Sequence, residues 1–372
     1  MRKLLVSLIA SGLALAQAPR VGLVELYGVR KVSAERLRNA IAVQAGDPLP
    51  TKADIEERLE KVPGVVLARV QAVCCAGDGA VLYVGIEERD APHVGFRQPP
   101  GGNISLPPVL IDIYRDFIAY FGEAARSGDP TGPAADGYRG TFEHLARDNA
   151  DILHRVLRES DDAGERAIAV YILRYAPITR AVADDLQYAM LDDDQAVRAN
   201  AMRSLVALAA SAARDPDLGV GIEITWFVEL LNSLAWDDRT QAATALVNLT
   251  QAREPGALEH LRDRALPALA DMAHWKTPAH AHAAFVLVGR IAGLADKEIE
   301  DAWSRGDREA VIKRALDQMK QKAGATWPRP HWQTSELNVV TVRPEAPADA
   351  VRAPETAIGA ALLLRSGESV PG

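Results

Sequence analysis

The sequence predicts a multidomain chain, a small α+β domain followed by an all-α helical-repeat solenoid. Three observations carry that expectation. A pattern of Arg, three on Ala and four more on Leu recurs as Arg166-Ala169-Leu173, Arg198-Ala201-Leu205 and Arg239-Ala242-Leu246, with a fourth copy at His280-Ala283-Leu287; the steps are 32, 41 and 41 residues. A period of that size belongs to stacked helical hairpins. Before residue 90 the periodicity is different, with strand and helix patterns mixed over a short distance. Between the two regions, Gln98-Pro99-Pro100-Gly101-Gly102-Asn103 is a cluster of helix and strand breakers that marks a domain boundary.

In chain order, Arg2 and Lys3 precede the apolar run Leu4 to Ala16, and Ala14-Leu15-Ala16 fits a small-x-small cleavage site. Residues 1–16 therefore read as a signal peptide, since a cut after Ala18 would leave Pro19 at the new terminus. The expected location is exported, periplasmic or extracellular. The formal charge of the 372 residues is -8, and loss of Arg2 and Lys3 makes it two more negative. Such an acidic balance argues against nucleic acid as a partner, because phosphate contacts rest on Lys and Arg. No segment after the leader is long and apolar enough for a bilayer, so the mature chain carries no transmembrane segment.

Residues 19–90 form the expected α+β domain. Val21 to Tyr27 reads as a strand ending at Gly28, and Val32 to Ala42 as a helix with Ser33 as its cap. Gly46-Asp47-Pro48-Leu49 is a turn. Lys52 to Lys61 is a second helix, with Ile55 and Leu59 one turn apart. Strands over Val65 to Val73 and Ala80 to Glu87 are joined through Ala76-Gly77-Asp78-Gly79, a hairpin signal. Cys74 and Cys75 are the only cysteines; adjacent strand residues face opposite ways, so two half-buried thiols are expected ahead of a strained adjacent-pair disulfide.

Residues 91–107 read as a linker and 108–322 as the repeat domain. Leu110, Ile113, Tyr114, Phe117 and Phe121 give the first helix an aromatic core face, and Ser127 to Gly140 reads as a loop. Outer helices are expected over Phe142–Arg158, Val182–Leu191, Ile222–Ala235 and Leu258–His274, and inner ones over Glu165–Tyr175, Ala196–Ala213, Thr240–Gln251 and Ala279–Ile291. Asp162, Asp194 and Asp238 stand where inner helices begin and read as caps. Asp296 to Trp303 and Arg308 to Lys322 are expected to close the stack. Residues 323–372 read as a flexible proline-rich tail, with a strand option over Leu337 to Val342.

Two resemblances follow from these residues. Asp194-x-x-Val197-Arg198-x-x-Ala201-x-x-x-Leu205 is similar to the second helix of a HEAT repeat, and Leu266-Pro267-Ala268-Leu269 resembles that family's kinked first helix. The order strand, helix, helix, strand, strand resembles a POTRA (polypeptide-transport-associated) domain, as do Gly28, Val32, Leu37, Gly46-Asp47-Pro48-Leu49, Leu59, Pro63-Gly64-Val65 and Val84-Gly85-Ile86-Glu87-Glu88. The first resemblance implies a concave protein-binding surface; the second implies peptide or protein contact along an exposed sheet edge.

Catalytic and metal chemistry find little support. His274, His280 and His282 lack a spacing that converges on a metal. Asp192-Asp193-Asp194 lacks the glycine and distal glutamate of a calcium loop, and Glu87 with Glu88 point to opposite strand faces. No phosphate loop, nucleophile elbow or dinucleotide fingerprint occurs. The expectation is a non-enzymatic envelope scaffold or adaptor that binds proteins, with no catalytic, cofactor or metal residues and no cofactor. Its contacts would come from exposed neighbours of Arg166, Arg198 and Arg239. A component of outer-membrane protein assembly or secretion is the alternative, and an envelope enzyme or lyase accessory a further one.

Overall fold

The computed structural model describes residues 19–76, 79–127, 133–322 and 339–340. The expected leader at 1–16 and all but two residues of the expected tail lie outside them.

The N-terminal module runs β1 (Val21–Tyr27), α1 (Ala34–Ile41), α2 (Lys52–Glu60), β2 (Val65–Ala76) and β3 (Gly79–Glu88). β3 lies in the middle of the sheet, parallel to β1 and antiparallel to β2. Strand alternation gives the sheet two apolar faces. One carries Val70, Leu82, Val84 and Ile86, which pack on Leu37 and Ile41 of α1 and Ile55 and Leu59 of α2. Ser33 caps α1 as expected, accepting from the Arg36 amide. Gly28 closes β1 at φ +79°, and a Cβ there would lie 2.2 Å from the Ile86 carbonyl oxygen, so only glycine fits. Glu88 binds the loop that follows: its carboxylate accepts from the amides of Arg30, Lys31 and Val32.

The remainder is helical: α3 (Pro108–Ser127), α4 (Pro133–Asp148), α5 (Ala150–Glu159), α6 (Ala163–Leu173), α7 (Arg180–Ala189), α8 (Gln195–Arg214), α9 (Thr225–Leu230), α10 (Trp236–Leu249), α11 (Pro255–Ala273), α12 (Pro278–Ile291), α13 (Asp296–Arg305) and α14 (Arg308–Lys322). Sequence neighbours pair, α5 with α6, α7 with α8, α9 with α10 and α11 with α12. Across pairs, α6 packs on α8, α8 on α10, α10 on α12 and α12 on α14. Ala169, Ala201 and Ala242, with Leu173, Leu205, Leu246 and Leu287, are fully buried. In the fourth copy Leu287 keeps its place but Ala284 is buried and Ala283 only partly, in the copy that lacks the arginine.

Several boundaries differ from expectation. The helix expected over Phe142–Arg158 is two helices, because Asn149 leaves helical geometry and its side-chain amide donates to the Leu145 carbonyl. The loop expected over Ser127–Gly140 is helical from Pro133, which can occupy a first-turn position without an unpaired amide. The helix expected over Ile222–Ala235 shrinks to α9, preceded by the two-residue strand β4 (Ile222–Glu223). Gly219 at φ +61° and the β-branched Val220, Ile222, Ile224 and Thr225 disfavour an earlier start. β4 pairs antiparallel with β5 (Val339–Val340), which falls inside the stretch 337–342 where a strand was an option. Cys74 is exposed and disulfide-bonded, contrary to the expected half-buried thiol; the Cys75 side chain lies outside the described residues.

Residues 91–107 form a strap held against the turns of the helical region. The Arg97 amide donates to Leu191 O at 2.8 Å, Gly102 N to Glu159 O at 2.9 Å, and Asp161 N to Gly102 O at 2.8 Å. Leu106 is buried, and Phe96 lies 3.8 Å from the Arg198 guanidinium carbon.

Candidate functional site

The repeated arginines are structural. Arg166, fully buried, places Nε and Nη2 on the two oxygens of Asp192 at 2.9 and 2.8 Å, and Nη1 on the carbonyls of Ser160 and Asp161. Burial alone would favour loss of its proton, but the hydrogen bonds and charge of Asp192 outweigh it and the pKa rises. Arg198 repeats the arrangement one hairpin later, with Asp238 at 3.1 and 2.7 Å and the carbonyls of Asp192 and Asp193. Asp162 and Asp194 cap their helices as expected. Asp238 does not: it lies inside the first turn of α10, fully buried, and is the acceptor for Arg198. The third arginine breaks the series. Arg239 donates Nε to Ser233 O, and its guanidinium stands 4.6 Å from the ring centre of Tyr27, a residue of β1. Burial lowers its pKa, and the aromatic face takes the place of a carboxylate.

That contact belongs to a larger junction. The second face of the sheet, with Tyr27, Val73, Val81 and Tyr83, shares one core with the helices. Tyr83 is fully buried between Trp236, at 5.3 Å between ring centres, and Trp275, at 4.7 Å. Its hydroxyl meets His280 Nδ1 at 2.7 Å. Around this centre Tyr27 donates to Leu234 O at 2.5 Å, Glu25 accepts from the Lys276 amide, and Gln71 donates to Asp237. Asp271 accepts from both Arg30 and the Gly28 amide. Gly85 supplies the clearance: a Cβ there would lie 2.7 Å from the Tyr27 ring and 2.8 Å from Leu234 O.

The three histidines separate. His274 bonds Ala270 O and Glu309, His280 bonds Tyr83, and His282 stands edge-on to Trp303 with Glu300 at 3.4 Å. Burial depresses the pKa of His280 and of His260. A depressed imidazole pKa makes folding favour the neutral form, so its contribution is complete above the unfolded pKa of about 6.5 and is lost as pH falls from there toward the folded value. The urea midpoint should therefore drop between pH 7.5 and 5.5, and His280→Gln should reduce that drop without abolishing it, His260 retaining its share. An equal drop in the variant would contradict the assignment.

The sheet edges are partly occupied, which corrects the expectation of an exposed edge. At β1, Val21 N donates to Asp47 O and Gly46 N to Val21 O. At β2, the amides of Ala68 and Val70 donate to Glu60 and Glu56 of α2. Beside them Val66 is 54% exposed.

On α8 and at the end of α6, a different pair of arginines has no carboxylate among the described residues. Arg203 of α8 donates Nη2 to Asn200 Oδ1 at 2.6 Å, while its buried Nε has no partner. Asn200 is itself tied to Ala167 O, and Tyr114 of α3 lies alongside. Arg174, at the end of α6, lies 5.4 and 5.1 Å from the ring centres of Tyr171 and Tyr175. Burial, then the neighbouring positive charge of Arg174, lowers the Arg203 pKa to about 10. The nearby Asp237 is engaged by Gln71 and Gln195. Next to Arg174, a cleft of about 70 Å³ is lined by Ala176, Ile178, Ser204, Ala207 and Ser211 among others. The repeat spacing did not single out Arg203 or Arg174. Their signal in sequence is an arginine on or at the end of a helix, outside the Arg-Ala-Leu rule.

No family model matches this chain, and no curated protein matches it.

Proposed function

We propose that this chain is an exported scaffold of the cell envelope that binds other proteins, built from a POTRA-like module and a HEAT-like solenoid. The observation that carries this reading is the division of labour among its arginines. Arg166 and Arg198 are consumed in joining one hairpin to the next, whereas Arg174 and Arg203, on the same inner helices, have no carboxylate among the described residues. Helix pairs that stack through Ala, Leu and Arg–Asp rungs leave an extended inner face for a partner. Docking of the sheet onto the turns supports a fixed module, with Val66 beside a guarded edge as a secondary contact. No helix among the described residues is long and apolar enough to cross a membrane.

A photo-reactive amino acid at Ala207 on the inner face should give discrete protein adducts in the native envelope, and one at exposed Lys313 should not. Equal labelling from both positions, or none from Ala207, would count against the scaffold reading. A barrel protein captured from Val66 alone would favour the assembly or secretion role instead.

A further inference from the structure

We propose that Arg203 and Arg174 form a carboxylate-binding site on the inner helices, which takes an acidic side chain of an extended partner segment whose apolar neighbour enters the cleft at Ala176, Ile178 and Ala207. This deepens the scaffold reading and rests on it.

Arg203 and Arg174 differ from the rung arginines Arg166 and Arg198, and also from Arg239, which shares the lack of a carboxylate but is closed in against Tyr27. A buried guanidinium ordinarily completes its donors on carboxylates or carbonyls, as those of Arg166 and Arg198 do. Arg203 has a single side-chain acceptor, the neutral Asn200, and a buried Nε–H without one. Leaving such a donor unmade costs free energy that an incoming oxygen recovers. Arg174 adds a second positive charge, held over Tyr171 and Tyr175. Two cations placed close together disfavour one another until an anion arrives. The nearby carboxylate, Asp237, is already engaged by Gln71 and Gln195, so the two guanidinium groups select an acidic partner by charge complementarity. The adjoining cleft is small and mixed in lining, with Ala176, Ile178, Val182, Ala207 and Leu208 beside Ser204 and Ser211, and its apolar part fits one aliphatic side chain. An extended segment places residues i and i+2 on the same side, about 7 Å apart, so the acid and the aliphatic group belong at those positions.

The test uses the full chain and two fluorescein-labelled peptides, Ac-Gly-Glu-Gly-Leu-Gly-Glu-Gly and its counterpart with both Glu replaced by Gln, followed by fluorescence anisotropy. The acidic peptide should bind, the Gln peptide should bind about tenfold or more weakly, and Arg203→Gln and Arg174→Gln should each weaken the acidic peptide by a similar factor. Arg174 is only partly buried, so its variant tests the site if Arg203→Gln proves poorly folded. Raised salt should weaken binding in parallel. Equal binding of both peptides, or unchanged affinity in two well-folded variants, would overturn the proposal. So would binding of inorganic phosphate at this pair with no binding of the acidic peptide. If adducts from Ala207 persist in Arg203→Gln, the scaffold reading survives and the carboxylate site does not.

Discussion

Replacing Asp238 by alanine is expected to cost the protein about 3–5 kcal/mol of stability, the cost of stranding a buried cation. The Arg198 guanidinium then keeps only the carbonyls of Asp192 and Asp193 and no countercharge, at a site nearly inaccessible to water. The loss has three parts. Two charge-assisted hydrogen bonds disappear, Ser233 loses the oxygen to which its hydroxyl donates, and the cation that underlies Phe96 of the strap is uncompensated. Arg198→Met combined with Asp238→Ala should recover most of the loss, since an apolar pair of similar volume carries no desolvation penalty. Urea unfolding of the two single variants and the double variant measures the coupling. A single-variant loss of less than about 1 kcal/mol, as for an exposed pair, would contradict the structural role assigned to this rung.

The second large effect is expected at Tyr83. Removing its ring with alanine should cost about 3–5 kcal/mol, in the range for a buried aromatic side chain. The damage falls on both halves of the chain, because the ring lies between β3 and the tryptophans that begin α10 and precede α12. Tyr83→Phe should be far milder, near 1 kcal/mol, as it deletes only the hydroxyl that meets His280. Trp236 and Trp275 report the outcome directly. Their emission should shift to longer wavelength in Tyr83→Ala under conditions where helical circular dichroism is unchanged. Unshifted emission in that variant would mean that the sheet does not bury these rings.

Much of this architecture is legible in the sequence, and the exceptions have physical reasons. The module's element order follows from short-range signals: Gly28 with its positive φ, the Ser33 cap and the change of period at Val65. The Ala and Leu rows of three repeats follow from spacing alone. Asp238 departs from the capping rule that Asp162 and Asp194 obey because the buried Arg198 takes its carboxylate as a partner. The helices at Asn149 and Ile224 are shorter or broken because local side-chain competition and β-branching override an apolar pattern. The junction lay beyond sequence reading altogether. Tyr27, Tyr83, Trp236 and Trp275 are separated by up to about 250 residues, and a strand's second apolar face says that something covers it without saying what. Gly85 was the one local hint, a glycine in a central strand where another backbone comes close. Arg203 has only a weak mark in the sequence, an arginine outside the Arg-Ala-Leu rule, since an arginine without a charged partner forms no repeating pattern.

The sheet and the helices share one core, with Arg239 and Tyr27 closing the contact. Hydrogen exchange in increasing sub-denaturing urea tests this most directly, by comparing amides of β3 with those of α10. If the two regions share a core, their slowest amides converge on one opening free energy and one urea dependence. Amides of β3 that exchange through a separate, lower-energy opening while α10 stays protected would contradict it.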